Sequence, residues 1–256
     1  MARRPERYYR TFVIPKGRKK RVIHAPKVAL KVIQKWLAEY LGRSIEILPS
    51  VFGFVRGRSA IDAAAIHCGA KWVYSIDIRD FFSSTPERLV LKALIHIGYS
   101  SHAAYVISSL CCYQGFLAQG APTSPVLSNL VFADFDRKLV DLATSANVRI
   151  SRYADDIVFS GQLEMDAALP DKIKAIVLEG GWVLADEKEH VARAPARLKV
   201  HGLLVHGDQP RLTKGYRNRL RAYAHLLHSE KLKASDIAKV KGHLSYAKSV
   251  TNIRAL

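Results

Sequence analysis

Two aspartates stand side by side at Asp155 and Asp156, within "ISRYADDIVFSG", where two short apolar runs should close as a hairpin. A turn needs one Asp or Asn and usually a nearby glycine. It does not need two carboxylates with an aromatic, Tyr153, two positions ahead. An arbitrary Asp–Asp pair is an exposed turn, but here Ile157 and Val158 follow it, and a third acid, Asp77, lies in the apolar run "KWVYSIDIRDFF". If the strand bearing Asp77 pairs with the 155/156 hairpin, three carboxylates from distant positions meet at one sheet edge. Like charges raise one another's pKa, so such a cluster is costly unless cations neutralise it. Mg2+ takes oxygen ligands and is commonly held by one or two carboxylates plus substrate phosphates. Two such ions about 3.5–4 Å apart can activate an attacking hydroxyl and stabilise the leaving oxygen of an in-line displacement.

The elements that must position these acids are legible in outline. "RTFVIPKGRKKRVIHAP" reads as two strands, Thr11–Pro15 and Arg21–His24, joined by a basic turn at Gly17. Pro26 opens a helix on which Leu30, Ile33, Leu37 and Leu41 recur at helical spacing, with Gly42 as a stop. A glycine-punctuated loop then leads into the alanine-rich helix of "SAIDAAAIH". After the Asp77 strand come helices at about 86–96 and 103–112, a Gly/Pro-rich loop, and a helix from about Ser124 to Leu142. The hairpin of Asp155 and Asp156 is followed by a helix ending at Gly180 and Gly181. A second hairpin, "RLKVHGLLVHGDQPRL", is expected to turn at Gly207–Asp208, and two or three basic helices close the chain. No internal repeat or low-complexity linker divides these parts.

The chain's 256 residues, 49% hydrophobic and 24% charged, suffice for one or two domains with a sizeable core. Its formal charge of +18 is unevenly placed. Residues 1–35 carry 12 Lys/Arg against one Glu, and residues 211–256 carry 11 against Glu230 and Asp236, which leaves −2 for 36–210. Two basic ends around a slightly acidic centre suit a polyanion held beside a carboxylate site, and nucleic acid is the expected partner. No apolar run reaches the roughly 18 residues that span a bilayer, and the basic N-terminal stretch lacks the apolar core of a signal peptide. Three cysteines without a CxxC pair argue against a disulfide scaffold or a zinc site. The expected location is the cytoplasm, with no membrane partner.

"YADD" at 153–156 resembles the catalytic signature of reverse transcriptases, and further blocks match that family in order. "FVIPKGRKKRVIHAP" resembles its first fingers block, "SIDIRDFFSS" its first carboxylate motif, and "QGAPTSPVLSNL" its nucleotide-binding loop and following helix. "LADEKEH" and "VHGLLV" resemble its lysine-bearing block and primer-gripping hairpin. The likeness covers about residues 10–250 and is closest to the bacterial retron-type enzymes. Those carry Asn-Ala-x-x-His before the first catalytic strand and Val-Thr-Gly after the lysine block. This chain has Ala63, Ala64 and His67 at the first, and Val200-His201-Gly202 at the second.

The resemblance implies an α+β right-hand polymerase fold: fingers over 1–71 with 84–118, an antiparallel-sheet palm over 72–83 and 119–210, and a helical thumb over 211–256. It implies an RNA-directed DNA polymerase in which Asp77, Asp155 and Asp156, with the Ile78 backbone, hold two Mg2+ ions. Phe82 matches the aromatic steric gate against a ribose 2′-hydroxyl. Arg21, with Lys16 as helper, matches the fingers cation that grips the incoming triphosphate, and Gln119 and Gly120 match the loop beneath the nucleotide. Lys188 matches a lysine proposed to protonate departing pyrophosphate. His67, His201 and His206 are expected to be satisfied or exposed histidines, and Tyr223 and Tyr246 to be packing contacts of the thumb. The implied partners are a structured noncoding RNA serving as template and primer, the nascent DNA, dNTPs and a separate effector protein, in antiphage defence. The rival readings are a defence-associated or abortive-infection polymerase with untemplated or protein-primed synthesis, and a non-catalytic RNA-binding scaffold.

Overall fold

The basic N-terminal stretch folds back on itself as an antiparallel hairpin, β1 (Tyr9–Lys16) against β2 (Lys19–Pro26). The structure, a computed structural model, describes residues 5–17, 19–229 and 233–252. Proline cannot extend the ladder, and α1 (Val28–Ser44) follows directly, burying Leu30, Leu37 and Leu41 on one stripe. Gln34 shares that buried stripe because its Nε2 donates to Tyr9 Oη and to the Leu110 carbonyl, both at 2.7 Å. The alanine-rich segment becomes α2 (Ala60–Ala65). It starts at a reciprocal capping box in which Ser59 Oγ accepts from Asp62 N and Asp62 accepts from Ser59 N.

Next come β3 (Trp72–Asp77), α3 (Glu87–His96), α4 (Ser101–Cys111), the short pair β4 (Cys112–Tyr113) and β5 (Phe116–Leu117), and α5 (Ser124–Ser145). The catalytic-hairpin candidates are β6 (Arg149–Tyr153) and β7 (Asp156–Gly161), followed by α6 (Leu169–Glu179) and β8 (His190–Arg193). Three two-residue strands, β9 (Lys199–Val200), β10 (Leu203–Leu204) and β11 (Arg211–Leu212), precede α7 (Lys214–His228) and α8 (Ala234–Thr251). Among the described residues no helix is long and apolar enough to cross a membrane.

A four-stranded antiparallel sheet in the order β6-β7-β3-β8 forms the centre. Strand alternation gives it two different faces. Trp72, Tyr74, Ile76, Ile157 and Phe159 point toward α5 and α6, where Phe132, Leu139, Ile173 and Val177 complete the main core. Each such fully buried side chain contributes about 1.5–3 kcal/mol, so this face anchors the sheet. Val73 and Val158 point the other way, against α2 and the β9–β11 sheet. Asp77 and Asp156 share that second face by alternation. They sit at the end of the sheet where both strands emerge.

The second face also buries His67, whose Nδ1 and Nε2 lie 2.7 Å from Ser160 Oγ and Ser151 Oγ. Burial drives its pKa down to about 3, with His201 and Arg149 adding to the effect. The unfolded chain therefore takes up a proton below the ordinary value of about 6.5 that the folded chain refuses. The destabilisation begins below that pH and grows as pH falls toward 3. Against His67→Gln, the wild type is expected to lose about 1.4 kcal/mol of relative stability per pH unit between pH 6 and 4. Denaturant melts of both proteins across that range check this, and a pH-independent difference would contradict it.

The second expected hairpin is built differently from its sequence reading. The tight turn falls at His201–Gly202, whose φ values of 48° and 82° make a mirror-image turn between β9 and β10. Gly207–Asp208 lies in the wider loop that brings β11 back onto β10. Tyr223 and Tyr246 pack between the last two helices, with ring contacts to His243 and Tyr216.

Candidate active site

The hairpin of β6 and β7 closes with Tyr153 paired to Asp156 across the two residues Ala154 and Asp155. On the other side of β7, Asp156 is the register partner of Asp77, and Ile78 N donates to the Asp155 carbonyl at 3.0 Å. All three acids thus meet at one edge. Burial pushes the Asp77 carboxyl above the usual carboxylate range, and Asp155 and Asp156 push it further while Lys188 opposes them. The Lys188 ammonium is delivered by the turn Asp186–Lys188, after Ala185 N has bonded the Asp77 carbonyl at 2.8 Å. Its Nζ stands 2.6 Å from Asp77 Oδ1 as an ion pair outside hydrogen-bond directions, so that buried oxygen keeps no hydrogen-bond partner.

The turn itself is held from behind. Arg152 is 1% exposed; its Nε and Nη2 donate to the two oxygens of Asp136 at 2.7 and 2.6 Å. The same guanidinium donates to the Ala154 carbonyl at 3.0 Å and to Asn129 Oδ1 at 3.1 Å. Asn129 Nδ2 in turn donates to the Gly53 carbonyl at 3.0 Å. Gly53 lies so close to the turn that a Cβ there would stand 2.1 Å from Ala154 N. Ala154 has φ 60°, a left-handed conformation that costs energy and persists only when its surroundings impose it.

The expected nucleotide-binding residues form a second group. Arg21 lies on β2, opposite Ile14, and Lys16 ends β1, its side chain outside the described residues. The loop bearing Gln119 and Gly120 docks on that hairpin: His24 N donates to the Gln119 carbonyl at 2.9 Å. Gly120, at φ 120°, leaves no room for a Cβ, which would meet Ile23 Cγ2 at 2.8 Å. Phe82 sits five residues past Asp77 and bridges the two apolar clusters around α5 and α4.

Whether these residues suit Mg2+ can be judged from the donors. Among the described residues no three His, Cys, Asp or Glu side chains stand together tightly enough to hold a metal ion. The donor types fit a hard cation all the same: three carboxylates converge there, and one buried carboxylate oxygen, Asp77 Oδ1, already faces the positive charge of Lys188.

Comparison with known proteins decides the family. The family model described as "Reverse transcriptase (RNA-dependent DNA polymerase)" matches residues 14–208. The retron Ec86 reverse transcriptase of Escherichia coli is 30% identical over 246 residues, covering 94% of this chain and 76% of that protein. This chain is a retron-type reverse transcriptase. The retron Mx65 reverse transcriptase of Myxococcus xanthus is 34% identical over 261 residues, but the chain spans only 59% of its length. Telomerase from Candida albicans, solved in complex with a fragment of telomeric RNA, superposes with a TM-score of 0.56 at 11% identity. Apo telomerase from Candida tropicalis gives 0.58 at 10%. The chain covers about half of each telomerase chain, and at that identity the likeness is one of fold: the α+β right-hand polymerase fold.

Within this reverse transcriptase the sequence reading missed one polar neighbour of the carboxylates. His201, expected to be satisfied or exposed, is neither. Its side chain is 7% exposed, Nδ1 lies 3.1 Å from Asp156 Oδ2, and Nε2 is buried without a partner. The tight β9–β10 turn points the ring at the acid and sets it 5.4 Å from the Tyr153 ring. Its signal in the sequence was the substitution of histidine inside "VHG". His67 is the satisfied residue expected, and His206 is exposed. Arg152, Asn129 and Asp136 also went unread, although an Asp between Phe132 and Leu139 on an apolar helix stripe predicts a buried cation partner.

Proposed function

We propose that this enzyme copies a structured noncoding RNA into DNA, with Asp77, Asp155, Asp156 and the Ile78 backbone holding two Mg2+ ions. The register pairing of Asp77 with Asp156, which gathers three carboxylates at one sheet edge with the Lys188 ammonium on Asp77 Oδ1, is the observation that carries this reading. Bound Mg2+ would polarise the α-phosphoryl oxygen and favour deprotonation of the attacking hydroxyl. Arg21, helped by Lys16, grips the triphosphate through charge-assisted hydrogen bonds. The Gln119–Gly120 loop supports the nucleotide from below, where a glycine lets backbone approach closely. Phe82 presses on the sugar and rejects a 2′-hydroxyl. Lys188 neutralises Asp77 in the resting site and donates a proton to leaving pyrophosphate.

The working division is fingers over 1–71 with 84–118, palm over 72–83 and 119–210, and thumb over 211–256. The basic helices α7 and α8 then meet primer–template phosphates without reading sequence. In this reading the enzyme acts in the cytoplasm, in antiphage defence alongside a separate effector protein. Sequencing nucleic acid that copurifies with the chain tests the proposal. A discrete hairpin RNA joined to short complementary DNA is the expected result. Diverse cellular RNA, or DNA with no complementarity to bound RNA, would overturn it.

A further inference from the structure

Phe54 has no part in the reading above, yet it occupies a forced position beside the site. The residue is 44% exposed and its backbone is left-handed at φ 63°, an unusual conformation for a bulky side chain. The cause lies in the segment before it, which runs along the edge of β6. Arg152 N donates to the Ser50 carbonyl at 2.8 Å, and Phe52 N donates to the Arg152 carbonyl at 2.8 Å. Gly53 is then pressed against Ala154 and anchored by Asn129, so the chain can leave the catalytic turn only by swinging Phe54 outward. Strain of this kind is retained where the surroundings over-determine it, and it concentrates at functional sites.

That swing sets the Phe54 ring 5.7 Å from Phe82, with the planes inclined by 30°. Phe82 also meets Phe81, at 5.7 Å, and Phe81 is 5% exposed within the main core. Phe82 therefore contacts one ring buried in the core and one exposed ring carried by a left-handed loop residue. An apolar wall rejects a hydroxyl by leaving it unbonded and by refusing it space. The second of these depends on whether the wall can retreat.

We propose that Phe54 is a positioning residue that braces Phe82 and so sets how strictly the enzyme excludes ribonucleotides. The inference rests on the reading of Phe82 as the sugar gate. Single-nucleotide insertion kinetics with matched dNTP and rNTP test it. Phe54→Ala is expected to lower the ratio of kcat/KM for dNTP over rNTP roughly tenfold, chiefly through a lower KM for rNTP. Phe54→Leu, which keeps bulk without the ring, is expected to fall between, and Phe54→Tyr to retain the wild-type ratio. A general packing defect would slow both substrates alike, and an unchanged ratio in Phe54→Ala and Phe54→Leu would overturn the proposal. Phe82→Ala separates the two readings. If it collapses the ratio while the Phe54 variants do not, the brace alone is wrong. If it leaves the ratio intact, the gate reading is wrong and the brace falls with it.

Discussion

Asp77→Asn is expected to slow nucleotide addition by about a thousandfold or more while leaving primer–template binding nearly unchanged. Cation-mediated charge stabilisation is worth several kcal/mol in the transition state, and each 1.36 kcal/mol is a factor of ten in rate. Losing about 4 kcal/mol of it gives the stated effect. The fold should not suffer. Asn has the same shape, and it relieves a carboxyl whose charged form is disfavoured by burial and by Asp155 and Asp156. Lys188 loses its ion-pair partner, but at 47% side-chain exposure it returns to water at little cost. The variant should therefore melt at or above the wild-type temperature while failing in single-turnover primer extension. Unchanged DNA yield in the variant would mean that the Asp77 carboxylate is not catalytic.

Arg152→Met is the second large effect, and it falls on stability first. It strips the fully buried Asp136 carboxylate of both its charge-assisted bonds and leaves the Ala154 carbonyl and Asn129 Oδ1 without their donor. Breaking one side of a buried ion pair costs about 3–5 kcal/mol, which for a chain of this size lowers Tm by roughly 6–20 °C. Removing both charges, as Arg152→Met with Asp136→Leu, is expected to recover most of that loss. Activity should not return with it, since the catalytic turn still lacks the guanidinium that tethers Ala154. Thermal melts and primer extension on the single and double variants check both halves. A single variant within about 1 kcal/mol of wild type would show that the pair does not anchor the turn.

The acids were legible because their chemistry is visible in residue type: "SIDI" and "YADDIV" place carboxylates where apolar strands leave no bland explanation, and the register that joins Asp77 to Asp156 follows from pairing those strands. The helices followed from periodicity, with boundaries differing by a few residues. What lay beyond reading depends on contacts between distant segments. Gly53 is an unremarkable loop glycine until Ala154 arrives against it, and Phe54 gains meaning only from that collision. His201 required knowing that the chain turns at 201–202 and not at 207–208, because the turn decides which way the ring points. Arg152 reads as a surface residue of an edge strand. It is buried because α5 and the 50–54 segment cover it from both sides.

The most direct test of the account is divalent-cation binding by the intact chain. Mn2+ titration followed by electron paramagnetic resonance would use the enzyme with a 3′-deoxy-terminated primer on an RNA template and the next dNTP. Two tightly bound ions per wild-type complex are expected, with tight binding lost in both Asp77→Asn and Asp156→Asn. Unchanged stoichiometry and affinity in the two variants would mean that these strands do not share a cation site.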